Sequence, residues 1–76
     1  MKIQILGTGC PKCNQLAANA EEAVAALGLE AEIVKVTDLN EIMGFGIMMT
    51  PGLAVNGEVK ASGKLLSVDE IKKILA

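Results

Sequence analysis

The chain has 76 residues, about half of them apolar, and a net charge of −2 from seven lysines and nine carboxylates. This allows one small hydrophobic core with a thin stability margin, and the mild acidity argues against a nucleic-acid footprint. Histidine, tryptophan and tyrosine are absent and Phe45 is the only aromatic residue, which excludes Ser-His or Cys-His catalysis, histidine-containing zinc sites and base-stacking platforms for single-stranded nucleic acid.

Lys2–Leu6 carries Ile3, Ile5 and Leu6 and reads as a buried strand, ended by Gly7-Thr8-Gly9. The segment Met1–Leu6 lacks the longer apolar centre of a signal peptide, and no later run approaches the roughly 18–20 apolar residues of a membrane span. The expected location is therefore the cytoplasm. Pro11 suits the first position of a helix, where its missing N–H has no intrahelical partner to lose. Behind it Cys13, Leu16, Ala17, Ala20, Val24 and Leu27 recur at helical spacing up to the stop signal Gly28. The alanines on this stretch permit close approach to a sheet.

Ala31–Val36 sets Ala31, Ile33 and Val36 against Glu32 and Lys35 and predicts a second strand. Asp38, with Glu41 three residues on, caps a short helix. Its inner face would be Leu39, Ile42 and Met43, and Gly44 and Gly46 end it near Phe45. Phe45 and Ile47 are expected in the core; Met48 and Met49 suit either packing or an adaptable binding surface. Leu53–Val55 is a short strand, and Asn56-Gly57 is a hairpin signal that returns the chain as Glu58–Ala61 with Val59 inward. Ser67-x-x-Glu70 is a capping box opening a final helix with the apolar stripe Val68, Ile71, Ile74 and Leu75. A right-handed crossover makes the first two strands parallel, whereas the closing hairpin is antiparallel. The expected fold class is α/β, in the order strand-helix-strand-helix-strand-strand-helix. It forms a four-stranded mixed sheet with helices on both faces, as one domain over residues 1–76.

The only two cysteines stand together as Cys10-Pro11-Lys12-Cys13, where the first strand gives way to the first helix. That spacing lets the sulfurs meet in a small ring. It also places the first thiol before helix N–H groups that have no intrahelical partner. A thiolate there gains about 0.3–1 kcal/mol from the helix dipole, and up to about 2 kcal/mol when partly buried. The thiolate is the reactive form, so Cys10 is the expected nucleophile. Cys13, one turn deeper, is the expected resolving thiol, which attacks the mixed disulfide and releases the substrate. Two cysteines in a cytoplasmic chain point to redox or metal chemistry rather than a structural staple, and a bridge so short contributes little chain entropy. Pro11 favours a pre-formed helix start and removes one N–H. Lys12 is a cation near Cys10 that either helps hold the thiolate or lies in water.

The element order and two motifs resemble the thioredoxin fold in its glutaredoxin-sized form. One motif is the C-x-x-C after the first strand. The other is Phe45-Gly46-Ile47-Met48-Met49-Thr50-Pro51, an aromatic-Gly-aliphatic turn leading to a proline before the third strand. The closest likeness is to the small archaeal and bacterial thioredoxin-like proteins called redox-active disulfide proteins, and it covers nearly the whole chain. The resemblance implies a dithiol–disulfide oxidoreductase with catalytic Cys10 and Cys13, needing no cofactor for the exchange itself. Expected partners are protein disulfides and a thioredoxin-reductase-like or other reductase, with neither nucleic acid nor membrane; the chain is expected to act as a monomer. The resemblance also implies a cis bond at Thr50-Pro51 opposite the cysteines. Thr50, Pro51 and the neighbouring Met49, together with Pro11 and Lys12, are the expected substrate-binding residues. Two family features are missing. Ala61-Ser62-Gly63-Lys64-Leu65-Leu66 lacks the paired glycine and following acid that help glutaredoxins hold glutathione, and Gly9 rather than tryptophan precedes Cys10. These departures leave open whether glutathione is used and whether an ordinary thioredoxin reductase reduces the chain directly.

A rival of a different class is a copper(I) chaperone that uses both cysteines as soft ligands. Such proteins usually have a methionine two residues before the first cysteine, where this chain has Thr8. Their order is strand-helix-strand-strand-helix-strand. A third reading is a binding module whose C-x-x-C is structural. One cysteine pair cannot fill a four-thiolate zinc site within a monomer, although two chains could; the leading redox reading expects no metal site.

Overall fold

The computed structural model describes residues 1–76. The elements run β1 (Lys2–Leu6), α1 (Pro11–Leu27), β2 (Glu32–Val36), α2 (Leu39–Gly44), β3 (Gly52–Val55), β4 (Glu58–Ser62) and α3 (Val68–Leu75). The sheet order is β2-β1-β3-β4. β2 runs parallel to β1, and β3 runs antiparallel to both β1 and β4. This is the mixed sheet expected from the element order. The hairpin turns at Asn56 and Gly57, both with positive φ, 52° and 85°, the backbone that tight two-residue hairpins require.

Period-2 alternation along β1 divides the core between two faces. Ile3 and Ile5 point with Leu53 toward α1 and α3, where they meet Leu16, Ala17, Ala20, Ala23, Ile71 and Leu75. Ala17, Ala20 and Ala23 are all buried, which lets the α1 backbone lie close to the strands. Leu6, Val36 and Ala54 point to the other face and are covered by Ile42 of α2 and by Ile47, with Phe45 and Val59 half-buried at the margin. Asn19 ties α1 to the segment leading into α3, its Nδ2 donating to the Leu66 carbonyl at 2.9 Å.

Two expectations need correction. Strand limits shift by one residue: β2 begins at Glu32, not Ala31, β3 begins at Gly52, not Leu53, and β4 runs on to Ser62, past Ala61. The inner face of α2 is Ile42 alone: Leu39 and Met43 are 60% and 62% exposed. Leu39 and Met43 stand four residues apart on one stripe, and α2 has only six residues. Once Ile42 is turned onto Leu6 and Val36, that stripe falls outside the contact.

The predicted caps form. The Asp38 carboxylate accepts from the N–H groups of Asn40 at 2.8 Å and Glu41 at 3.2 Å. Ser67 Oγ accepts from the Glu70 N–H at 3.2 Å, and Glu70 Oε1 accepts from the Ser67 N–H at 3.1 Å. Lys64 Nζ donates to Glu70 Oε2 at 2.6 Å. That bond, and then the Ser67 N–H, lower the Glu70 pKa from 4.5 to about 2. No helix is long and apolar enough to cross a membrane.

Candidate active site

Beyond Leu6 the chain stays pinned to the sheet for one more residue: the Gly7 N–H donates to the Val36 carbonyl at 3.0 Å. It then leaves through Thr8 and Gly9 and enters α1 at Pro11, the first helical residue. Cys10 is the N-cap, with φ −67° and ψ 161°. Its carbonyl accepts the Asn14 N–H at 3.0 Å, and its Sγ accepts the Cys13 N–H at 3.2 Å. A sulfur thus takes the place usually held by a serine or aspartate oxygen at a helix start. The first turn of α1 carries no acidic residue, so nothing there opposes a negative charge on Cys10.

Cys10 and Cys13 form a disulfide, their Cα atoms 5.0 Å apart. Cys10 is half-buried and Cys13 only 3% exposed. The asymmetry comes from the helix: Cys13 is on the stripe that continues into Leu16 and Ala17, which face the core. Pro11 and Lys12 are exposed beside Cys10.

The β1–β3 register brings the second motif to the same end of the sheet. Leu6 pairs with Gly52 in antiparallel sense, so one step further Pro51 comes beside Gly7. The Thr50-Pro51 bond is cis, as the resemblance implies. Pro51 itself is fully buried, and its carbonyl accepts the Gly63 N–H at 2.8 Å. Thr50 is exposed, as are Met49 at 66% and Met48 at 98%, and the Met49 side chain lies over Gly63. Ile47 is buried as expected. Pro51 therefore forms the floor of this shoulder, and Met49 and Thr50 its accessible surface. The one concave pocket, about 410 Å³, lies at the far end of α1 among Leu27, Asp69, Lys72, Lys73 and Ala76, away from the cysteines.

Sequence reasoning overlooked Gly7, reading it only as the end of a strand. A side chain there would run into the Cys13 sulfur. No periodicity marks this position; its only signal is a glycine in the short turn between β1 and the cysteine motif.

A family profile described as thioredoxin domain matches residues 1–76. The chain is 51% identical over 76 residues to a thioredoxin of Methanothermobacter thermautotrophicus, covering 100% of this chain and 99% of the relative. It is 53% identical over 73 residues to a thioredoxin of Methanocaldococcus jannaschii, covering 96% of this chain and 84% of that protein. The chain belongs to the thioredoxin family. It is a thioredoxin-type dithiol–disulfide oxidoreductase, and Cys10–Cys13 is its redox-active disulfide. The strand and helix order is that of a thioredoxin-like α/β fold and not that of the copper-chaperone alternative.

Proposed function

We propose that the chain works as a monomeric, single-domain reductant of protein disulfides in the cytoplasm, with Cys10 as nucleophile and Cys13 as resolving thiol. The observation that carries this reading is the unequal placement of the two sulfurs. Cys10 is accessible and takes a backbone N–H at the mouth of α1, whereas Cys13 is sealed beneath it. The Cys10 thiolate attacks one sulfur of a substrate disulfide, forming a Cys10–substrate disulfide and expelling the other substrate sulfur as a thiolate. Cys13, deprotonated, then attacks Cys10 Sγ. The internal disulfide forms, the second substrate thiolate leaves, and two electrons have passed from the dithiol to the substrate.

Met49 and Thr50, with Pro51 below them and Pro11 and Lys12 on the helix side, form the substrate-binding surface in this reading. Return to the dithiol requires electrons from a reductase, after which the cycle repeats.

Single-cysteine variants test the roles. Cys13→Ser, incubated with an oxidised protein substrate, accumulates a mixed disulfide through Cys10, and Cys10→Ser accumulates little. Equal trapping by both variants would contradict the assignment.

A further inference from the structure

Gly7 is not conformationally unusual; it lacks the positive φ that marks Gly9, Gly28 and several other glycines. Space is the constraint here. A Cβ built on Gly7 would overlap Cys13 Sγ and lie 3.0 Å from Cys13 Cβ. Nor can the backbone step back to make room, because the Gly7 N–H is held by the Val36 carbonyl at 3.0 Å. On its other side Cys13 is fixed by the helix it belongs to, whose next turn places Leu16 and Ala17 in the core.

The geometry points to Gly7 as a positioning residue for the exchange reaction: its bare backbone is the seat of the Cys13 sulfur, and it holds that sulfur within reach of Cys10. This rests on the resolving role assigned to Cys13 above. The two redox states feel the seat differently. In the disulfide, Cys13 Sγ is bonded to Cys10 and cannot leave. In the dithiol it can turn away about its Cα–Cβ bond. A methyl group on residue 7 therefore penalises the disulfide, and the resolving step that forms it, more than the dithiol. The first attack, by Cys10 on an outside disulfide, does not use the seat.

The test follows the reduced protein reacting with dithiobis(nitrobenzoate), an aromatic disulfide whose released thiolate is coloured. Attack by Cys10 releases one aromatic thiolate at a rate proportional to reagent concentration. Attack by Cys13 on the Cys10 mixed disulfide releases the second, at a rate independent of it. In Gly7→Ala the first phase should keep its rate and the second should slow by about tenfold, about 1.4 kcal/mol in barrier. The equilibrium constant for disulfide formation against a glutathione buffer should fall by about tenfold, a rise in potential of about 30 mV. Unchanged ratios in both measurements would overturn the inference, as would equal slowing of both phases.

Two controls separate the levels of the argument. If wild type does not release the second thiolate, or Cys13→Ser still does, the reading of Cys13 as resolving thiol fails. If wild type behaves as described and Gly7→Ala matches it, only the role of Gly7 fails. Should Gly7→Ala fold poorly, its stability cost is compared in wild-type and Cys13→Ala backgrounds. A cost that shrinks once the sulfur is gone locates the conflict at Cys13 Sγ. An equal cost in both backgrounds would overturn the inference.

Discussion

Replacing Leu16 by alanine tests whether the cysteine-bearing helix is held in place by the core behind it. Leu16 is one turn beyond Cys13, completely buried, and belongs to the cluster containing Ile3, Ile5 and Leu53. Truncating a fully enclosed leucine removes transfer free energy and leaves a cavity, together about 3–5 kcal/mol. The neighbours that would have to collapse into the gap are strand residues and the already small Ala17 and Ala20, so little relaxation is available. A domain of this length has a total stability of about 4–11 kcal/mol, and the loss is therefore a large part of the margin. Thermal unfolding of the oxidised protein should shift down by roughly 10–40 °C, taking roughly 4–8 °C per kcal/mol for a domain of this size. Exchange with dithiobis(nitrobenzoate), normalised for the folded fraction, should stay within about twofold of wild type, because Leu16 takes no part in the exchange and the cysteine motif keeps its helix start at Pro11. A stability loss below about 1 kcal/mol, the range of an average surface or partly buried substitution, would refute the claim that this core fixes α1.

The Glu70 carboxyl, held near a pKa of about 2 by Lys64 and the Ser67 N–H, stabilises the fold at pH values above its ordinary 4.5. That contribution disappears as pH falls through about 2. Wild type should therefore lose stability between these two values in urea unfolding, and Glu70→Gln should show a shallower acid limb there. Because the Lys64 contact is exposed, added salt should flatten the wild-type limb as well. Met49→Gln should raise KM for a protein disulfide by about fivefold, corresponding to about 1 kcal/mol of lost apolar contact, while leaving the rate with dithiobis(nitrobenzoate) unchanged. An equal effect on both substrates would remove Met49 from the docking surface.

Much of this molecule can be read from the chain because its local signals agree. Pro11, the 3–4 spacing through Leu16 and Ala20, and Gly28 all specify α1. Asn56-Gly57 specifies the hairpin, and Ser67-x-x-Glu70 the last helix. The cysteine pair was legible for the same reason: its chemistry depends on a helix start that Pro11 announces. Less could be read where the outcome depends on how elements sit together. Leu39 and Met43 have the spacing of an inner face, yet the short α2 offers only Ile42 to the sheet. Apolar spacing alone does not show how much sheet a helix will cover. Pro51 was expected at the site, but its complete burial beneath the exposed Met49 and Thr50 follows from the β1–β3 register. The seat at Gly7 is less visible still, because it is a tertiary contact between a backbone and a sulfur six residues further on.

The central claim is that one thiol of the pair is presented for attack while the other waits beneath it. The direct measurement is partial alkylation of the fully reduced wild-type protein with iodoacetamide at neutral pH, read by mass spectrometry after digestion with trypsin, which cleaves after Lys12 and so separates the two cysteines. Label should appear on Cys10 first, with Cys13 unmodified until the chain is denatured. Labelling of Cys13 first, or of both at one rate, would contradict the account.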